Sequence, residues 1–332
     1  MREVSRNTLS DEFRGSVALV SCLSFEPRSL SVAGAIPPSC LARWLIMVNE
    51  DIETDISTMR EKAEAIAVDA GIEIEYLSAS KRDPLLLANA FIQLAGETEQ
   101  DEAMRWVADI TTMTHEMLLM LVAAADEIVT PWQDLNLVYN LAGAYSGDDT
   151  PADKWISRGI HEVRSVIGYP GEWSPGEPTT MVALPGFDSE RMRRMVEEIE
   201  PDQLVVGIAC PIGDRHAWSE EKNRRIAEQL LETRAGTMFS YPALEPFGAI
   251  DALVDALKHT TGNVLIAPLN SKVSTAAIGM LVRMVPKWQV CYASAFIYNL
   301  EYATPSDTFM TCSLGAIRDH ITKRLSPQEI EG

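Results

Sequence analysis

The chain reads as one succession of strands and helices written twice, and a repeat of that size limits the fold more than any single motif does. Short strand-like segments, apolar or interrupted by a polar residue or two, occupy residues 17–20, 44–48, 72–77, 105–110 and 135–139, with helical patterns between them. The same order returns at 181–184, 203–209, 237–241, 264–267 and 289–293. Phe25 aligns with Phe187, Ala108 with Ala267 and Tyr139 with Tyr292, and the separation shrinks slowly along the chain, as small loop deletions produce. Val/Ile/Leu runs alternating with helices imply mainly parallel sheets covered on both faces. Right-handed crossovers then make each sheet doubly wound. The expected fold is therefore α/β: two tandem Rossmann-like units arising by internal duplication. Their expected bounds are 1–145 and 179–332, with 146–178 as a linker holding short elements. The tail of the second unit carries a strand near 309–314 and a final helix ending at Lys323 and Arg324.

Composition narrows the ligand. The net charge of −20 over 332 residues repels long nucleic acids, and no Lys/Arg stripe offsets it. A small anion in a locally basic pocket remains open. No apolar run approaches the roughly 18 residues of a membrane span, and the first residues lack the apolar core of a secretory signal. The five cysteines are scattered without CxxC spacing, as expected of reduced thiols in a cytoplasmic protein with neither a disulfide framework nor a zinc site. No metal and no cofactor are expected.

In doubly wound sheets ligands bind at the carboxyl ends of the strands, where the strand order reverses. That rule selects two pairs of loops. The first is 21–29, with Ser24, Phe25, Glu26 and Arg28, matched by 184–191, with Phe187, Asp188 and Arg191. Arg28 at the opening of a helix could hold a phosphate or carboxylate with help from backbone amides. The alternative makes Phe25 and Phe187 core plugs and pairs Arg28 with a nearby acid. The second pair is 109–116, with Asp109, Thr111, Thr112, Thr114 and His115, matched by 268–274, with Asn270, Ser271 and Lys272. Small hydroxyl residues there either cap the following helix or present amides to a phosphate or ribose.

Asp109-Ile110-Thr111-Thr112-Met113-Thr114 after a strand resembles the fourth-strand motif of CARF domains, the CRISPR-associated Rossmann-fold sensors, whose pattern is closer to Asp/Asn-Ile-Thr-Gly-Gly-Thr-Lys-Pro. The tandem pair resembles SAVED domains, which are fused CARF-like units. This resemblance implies binding of a cyclic oligonucleotide or another nucleotide-like ligand, within bacterial antiviral defence. By the order of the motif, Asp109, Thr111, Thr112 and Thr114 correspond in the first copy, and Asn270, Ser271 and Lys272 in the second. The Gly-Gly pair is absent, and His115 stands where Lys is usual.

Other positions are weaker. Lys81 and Arg82, the acidic stretch 50–55 and the 213–216 turn each read first as solvated surface. Residues 115–116 lack the second histidine of a zincin helix, and no Walker loop, GxSxG elbow or GxGxxG follows a strand. Three functions are then in play. One is a sensor or regulatory subunit that binds a nucleotide-like ligand at Ser24, Arg28, Thr111, Thr112, Thr114, Asn270, Ser271 or Lys272 and signals to a partner protein carrying the effector activity. The second is a nucleotide-acting hydrolase of the ring-nuclease kind, using Asp109, His115 and Glu26 as acid/base groups. The third is a non-enzymatic scaffold with vestigial crevices, for which the acidity and the linker aromatics Trp155, Tyr169 and Trp173 fit assembly, homo-oligomers included. A combination of sensor and scaffold, rather than an enzyme, is the expectation.

Overall fold

A computed structural model describes residues 1–49, 55–80, 82–97, 104–127, 134–145, 157–187, 189–211, 216–300 and 303–326. Contacts divide the chain into two units, Met1–Ser146 with Ala303–Ala316, and Gly147–Tyr302 with Ile317–Gly332. The first contains β1 (Arg2–Ser5), α1 (Arg6–Glu12), β2 (Val17–Leu23), β3 (Leu41–Asn49), α2 (Ser57–Ala70), β4 (Ile74–Ala79), α3 (Pro84–Glu97), β5 (Arg105–Asp109), α4 (His115–Glu127) and β6 (Asn136–Asn140). The second contains β7 (Ser157–Ser165), β8 (Thr179–Leu184), α5 (Ser189–Ile199), β9 (Gln203–Cys210), α6 (Trp218–Leu231), β10 (Gly236–Pro242), α7 (Pro246–Leu257), β11 (Asn263–Pro268), α8 (Lys272–Met284) and β12 (Trp288–Tyr298). The chain closes with β13 (Thr308–Ser313) and α9 (Leu314–Arg324).

The sheets are mixed but mainly parallel, in the orders β1-β13-β6-β5-β2-β3-β4 and β10-β9-β8-β11-β12-β7. Element by element they correspond in connectivity: β4 with β10, β3 with β9, β2 with β8, β5 with β11, and β6 with β12. In both units the strand order reverses beside the first parallel strand, between β2 and β5 and between β8 and β11. Central strands are buried along their whole length, as a sheet covered on both faces requires; every residue of β2 and of β11 is buried. Edge strands β4 and β10 are mostly open to solvent. The core of the first unit centres on the fully buried Trp44, whose indole N–H donates to Ser21 Oγ at 2.9 Å on the neighbouring strand. Glu245 caps α7 by accepting from the Phe247 N–H at 3.2 Å, with Pro246 at the first helical position.

The expected domain bounds shift in a specific way. Residues 157–165 do not belong to a linker: β7 is the antiparallel edge of the second sheet, paired to β12 from Ser157↔Tyr298 to Ser165↔Cys291. The tail strand does not belong to the second unit either: β13 lies antiparallel between β1 and β6 in the first. Each unit therefore completes its sheet with a strand outside its own five-strand succession, β13 entering after β12 and β7 entering after β6. The pattern of apolar residues reveals that a strand exists, but carries no information on which sheet a lone antiparallel strand joins. A second difference concerns the crossover after β2. In place of a helix there are three short 3-10 turns, Pro27–Leu30, Ala33–Ala35 and Pro38–Cys40. Pro27 opens the first of these turns, and Pro37 and Pro38 bar a helix from running on past residue 36.

The placement of β13 is testable. Phe309 on that strand is buried in the first unit. Phe309→Ala is expected to lower the unfolding free energy by about 3–5 kcal/mol, read as an earlier denaturant midpoint. A loss below about 1 kcal/mol would contradict a core position for this strand.

Candidate functional site

The carboxyl ends of both parallel sheets are organised by the same buried arginine. In the first unit Arg28, 1% exposed, donates from Nη1 to the Asn140 carbonyl at 3.1 Å, with its Cζ 6.0 Å from the centroid of the Tyr139 ring. In the second, Arg191, 5% exposed, donates from Nη1 to the Ala293 carbonyl at 3.3 Å, its Cζ 5.7 Å from the Tyr292 ring. Each guanidinium starts just after the first parallel strand and reaches past the next strand to the one beyond. It thus occupies the region of the strand-order reversal, where a ligand sits in folds of this kind.

In the first unit Arg28 is also ion-paired through Nε to Glu26, itself 2% exposed, so that its charge is cancelled internally. Ser24 Oγ accepts from the Glu26 N–H at 3.3 Å. Asp109, at the end of β5, accepts the Thr111 N–H at 3.0 Å on Oδ1, while Oδ2 has no hydrogen-bond partner. Burial pushes its carboxyl up to about 7, against the opposing pull of Thr111 and Arg28. Thr111 Oγ1 accepts the Asn140 N–H at 2.9 Å. Asn140 Nδ2 in turn donates to the Ser306 and Thr308 carbonyls at 2.8 and 3.1 Å, holding the start of β13. Thr112 Oγ1 donates to the Cys22 carbonyl at 2.6 Å, stitching the loop after β5 to β2. Thr114 caps α4, accepting the Met117 N–H at 3.1 Å.

The sequence candidates in this unit are brought together, but as a sealed structural network. Glu26, Arg28, Asp109, Thr111 and His115 are all buried. Arg28 does not stand at a helix N-terminus, because no α-helix follows β2, and its bonds go to the protein's own groups. The reading of Arg28 as a salt-bridge partner to a nearby acid is the one the structure has. The acid/base roles considered for Glu26, Asp109 and His115 meet the same obstacle, since none of the three is open to an incoming substrate.

The second unit differs. Its loop after β11 spans residues 269–271, against 110–114 after β5. Asn270 Nδ2 donates to the Pro185 carbonyl at 2.7 Å and to Asn223 Oδ1 on α6 at 3.3 Å. Ser271 caps α8, accepting the Ser274 N–H at 3.0 Å, and its hydroxyl donates to the Ala243 carbonyl. Two adjacent side chains therefore tie the loops after β8, β10 and β11 to the first turns of α6. Gly186 is required at this junction, because a Cβ there would lie 2.5 Å from the Leu269 carbonyl oxygen. Around this knot the surface is half-open and carries both signs of charge, with Glu220 and Glu221 in the first turn of α6 beside Lys222. Phe187 packs on Trp218 with ring centroids 5.0 Å apart, Lys222 Nζ lies 5.4 Å from the Phe187 centroid, and His216 meets the Trp218 ring edge-on. Lys272 is the first residue of α8. A cation at that position opposes the positive end of the helix dipole.

Asn140, Asn223, Trp218 and Lys222 do not stand out in the sequence as site residues. Trp218 and Lys222 nonetheless carry a readable signal: an aromatic and a base one turn apart, following a strand, at the ligand-binding end. Asn140 carries none, since its role depends on β13. Asp188, Lys81 and residues 213–215 lie outside the described residues, as do 50–54 and Trp155. Arg82 is exposed. Among the described residues no group of three or more His, Cys, Asp or Glu is placed to hold a metal ion. Among them, too, no helix is long and apolar enough to cross a membrane.

No protein-family model and no curated protein matches the sequence. Among solved structures, the chain has a faint similarity to the cytoplasmic domain of a prokaryotic cation chloride cotransporter, at 8% identity and a TM-score of 0.24, over 85% of this chain and 96% of that one.

The sealed network of the first unit has measurable consequences. Arg28→Ala leaves Glu26 buried without its cation and should cost about 3–5 kcal/mol of stability, part of which the double variant with Glu26→Gln recovers. An Arg28→Ala protein as stable as the parent would contradict the buried pair. Asp109 retains its proton in the folded state over the window in which the unfolded chain has lost it, from about pH 4 to about 7. Its contribution to stability therefore falls as pH rises through that window, by up to about 1.4 kcal/mol per pH unit, and levels off above it. Relative to the parent, Asp109→Asn should gain stability progressively from about pH 4 to about pH 7 and little above it. A difference independent of pH would contradict a raised carboxyl.

Proposed function

We propose that the chain is a non-catalytic regulatory subunit that senses a nucleotide-like ligand at the carboxyl end of its second sheet and signals to a partner protein. The observation that carries this reading is the placement of Lys272, at the first position of α8, at the same end of the sheet as the half-open Phe187–Trp218–Lys222 cluster. An anion beside Lys272 would meet both the ammonium and the N-terminal amides of α8. An adjoining aromatic pair suits a planar base, which stacks on such rings regardless of its identity.

Under this proposal the division of labour is unequal. The first unit, with Asp109, Thr111 and Arg28 committed to its own network, is a structural and transmitting copy, and Asn270, Ser271 and Lys272 are the counterparts kept near the ligand. Asn270 and Ser271 shape the loops, whereas Lys272 contacts the anion. The setting in bacterial antiviral defence, with a cyclic oligonucleotide as the ligand, rests on the resemblance of residues 109–114 to the CARF strand motif, and the cytoplasmic setting on the scattered cysteines.

A thermal-shift panel at low ionic strength tests the reading, using inorganic phosphate, mononucleotides, cyclic dinucleotides and cyclic oligoadenylates. One nucleotide class should stabilise the protein by about 2.7 kcal/mol at a hundredfold excess over Kd. Lys272→Ala and Lys222→Ala should each abolish most of that shift, while Asp109→Asn leaves it intact. A flat panel, or a shift that survives both lysine variants and disappears in Asp109→Asn, would overturn it.

A further inference from the structure

The carboxyl end of the first sheet holds two carboxyls and one guanidinium out of water, and Glu26 has the guanidinium. Glu26, Arg28 and Asp109 are 2%, 1% and 1% exposed, with Glu26 paired to Arg28 Nε. Asp109 accepts the Thr111 N–H on Oδ1, while Oδ2 is buried with no hydrogen-bond partner. An ionised carboxyl placed in this way leaves a charge unmatched in the interior, whereas the neutral acid does not. The loop that follows, residues 110–114, is attached to its neighbours lightly. Ile110 continues the strand ladder by donating to the Val138 carbonyl at 2.9 Å. Beyond it the attachments run through hydroxyls, Thr111 Oγ1 accepting from Asn140 N–H at 2.9 Å and Thr112 Oγ1 donating to the Cys22 carbonyl at 2.6 Å. In the second unit Pro268 stands where Asp109 stands in the first, so the loop after β11 starts without a carboxyl.

We propose that a proton on Asp109 keeps this end of the first sheet closed, and that its loss releases the 110–114 loop from β2 and β6 without unfolding the unit. The charged groups around Asp109 pull in opposite directions, Arg28 towards the carboxylate and Glu26 away from it. Cys22 on β2, Tyr139 on β6, Tyr145 beyond it, and His115 and Glu116 in the first turn of α4 are the other titratable groups at this end of the sheet. Desolvation pushes the Tyr145 phenol up, away from neutral pH. For Asp109 burial outweighs the pull of Thr111 and Arg28 and holds the closed form up to about 7. In an opened loop the carboxyl returns to its ordinary value, near 4. Below about pH 4 both forms carry the proton, and above about pH 7 neither does. Between those limits each unit of pH favours the open form by about tenfold. Acidification therefore tightens the first crevice, whatever occupies the second.

Amide hydrogen exchange on the full chain, followed from about pH 4 to about pH 8 and divided by the intrinsic rate at each pH, reads the opening directly. The Thr111 and Asn140 amides, which donate within the network, should exchange about tenfold faster per pH unit up to about pH 7 and level off above it. Low urea should leave them unchanged, because a loop that opens exposes little surface. The amides of β2, at the buried centre of the sheet, exchange through global unfolding and should accelerate in urea. Asp109→Asn should remove the pH slope at Thr111 and Asn140. If that variant does not fold, the slope and the urea response of the parent still decide the matter. Exchange at these two amides that shows no slope, that keeps its slope in Asp109→Asn, or that accelerates in urea as β2 does would overturn the proposal.

Discussion

A guanidinium buried where a ligand would otherwise sit is the constraint around which each unit is arranged. Arg28, in the first 3-10 turn after β2, and Arg191, in the first turn of α5 after β8, each reach past the next strand and bond to the carbonyl that follows a tyrosine on the one beyond. Removing such a group from water is costly unless its donors find acceptors and its face finds an aromatic ring, and in both units Nη1 donates to a main-chain carbonyl and the guanidinium lies near a tyrosine ring. The first adds a full counter-charge in Glu26. Because the clamp spans the reversal of strand order, the surrounding loops have to be built on it, and the two units then diverge in how they do so.

That divergence separates the two ends chemically. Asp109 and Asn140 in the first unit have Pro268 and Ala293 as their counterparts in the second. In the first, polar side chains are turned inward, with Asp109 linked through Thr111 and Asn140 to the carbonyls at the start of β13. In the second, the equivalent interior positions are apolar, and the polar and basic groups stand at the rim, around Asn270, Lys222 and Lys272. Of the two crevices that a duplicated unit provides, one is closed by its own polar network and the other is half-open.

Most of the architecture is legible in the sequence, because continuous apolar runs such as 203–209 and 264–267 suit central strands, and the order of the elements repeats. The correspondence of Phe25 with Phe187 and of Tyr139 with Tyr292 marks the clamp region from residue order alone. Three things are not legible in the same way. Which sheet accepts β7 and β13 depends on long-range antiparallel pairing, which leaves no local pattern. Whether Arg28 faces a ligand or Glu26 depends on burial, and the motif is the same in either case. A helix after β2 is the default for this fold, and three short 3-10 turns stand there instead; Pro37 and Pro38 account only for the stop at residue 36. The resemblance of residues 109–114 to a ligand-binding motif leads to a loop at the strand-order reversal. The Gly-Gly pair it lacks, however, is what would let a backbone approach a phosphate, and Thr111 and Thr112 instead serve the fold.

If the second sheet, and not the first, keeps a working ligand end, hydrogen–deuterium exchange with and without the nucleotide that most stabilises the protein shows it most directly. Added protection is expected at residues 218–224 and 270–276, with residues 109–116 already protected and unchanged by ligand. Protection confined to 109–116 and 24–30, with no change in the second unit, would contradict that assignment.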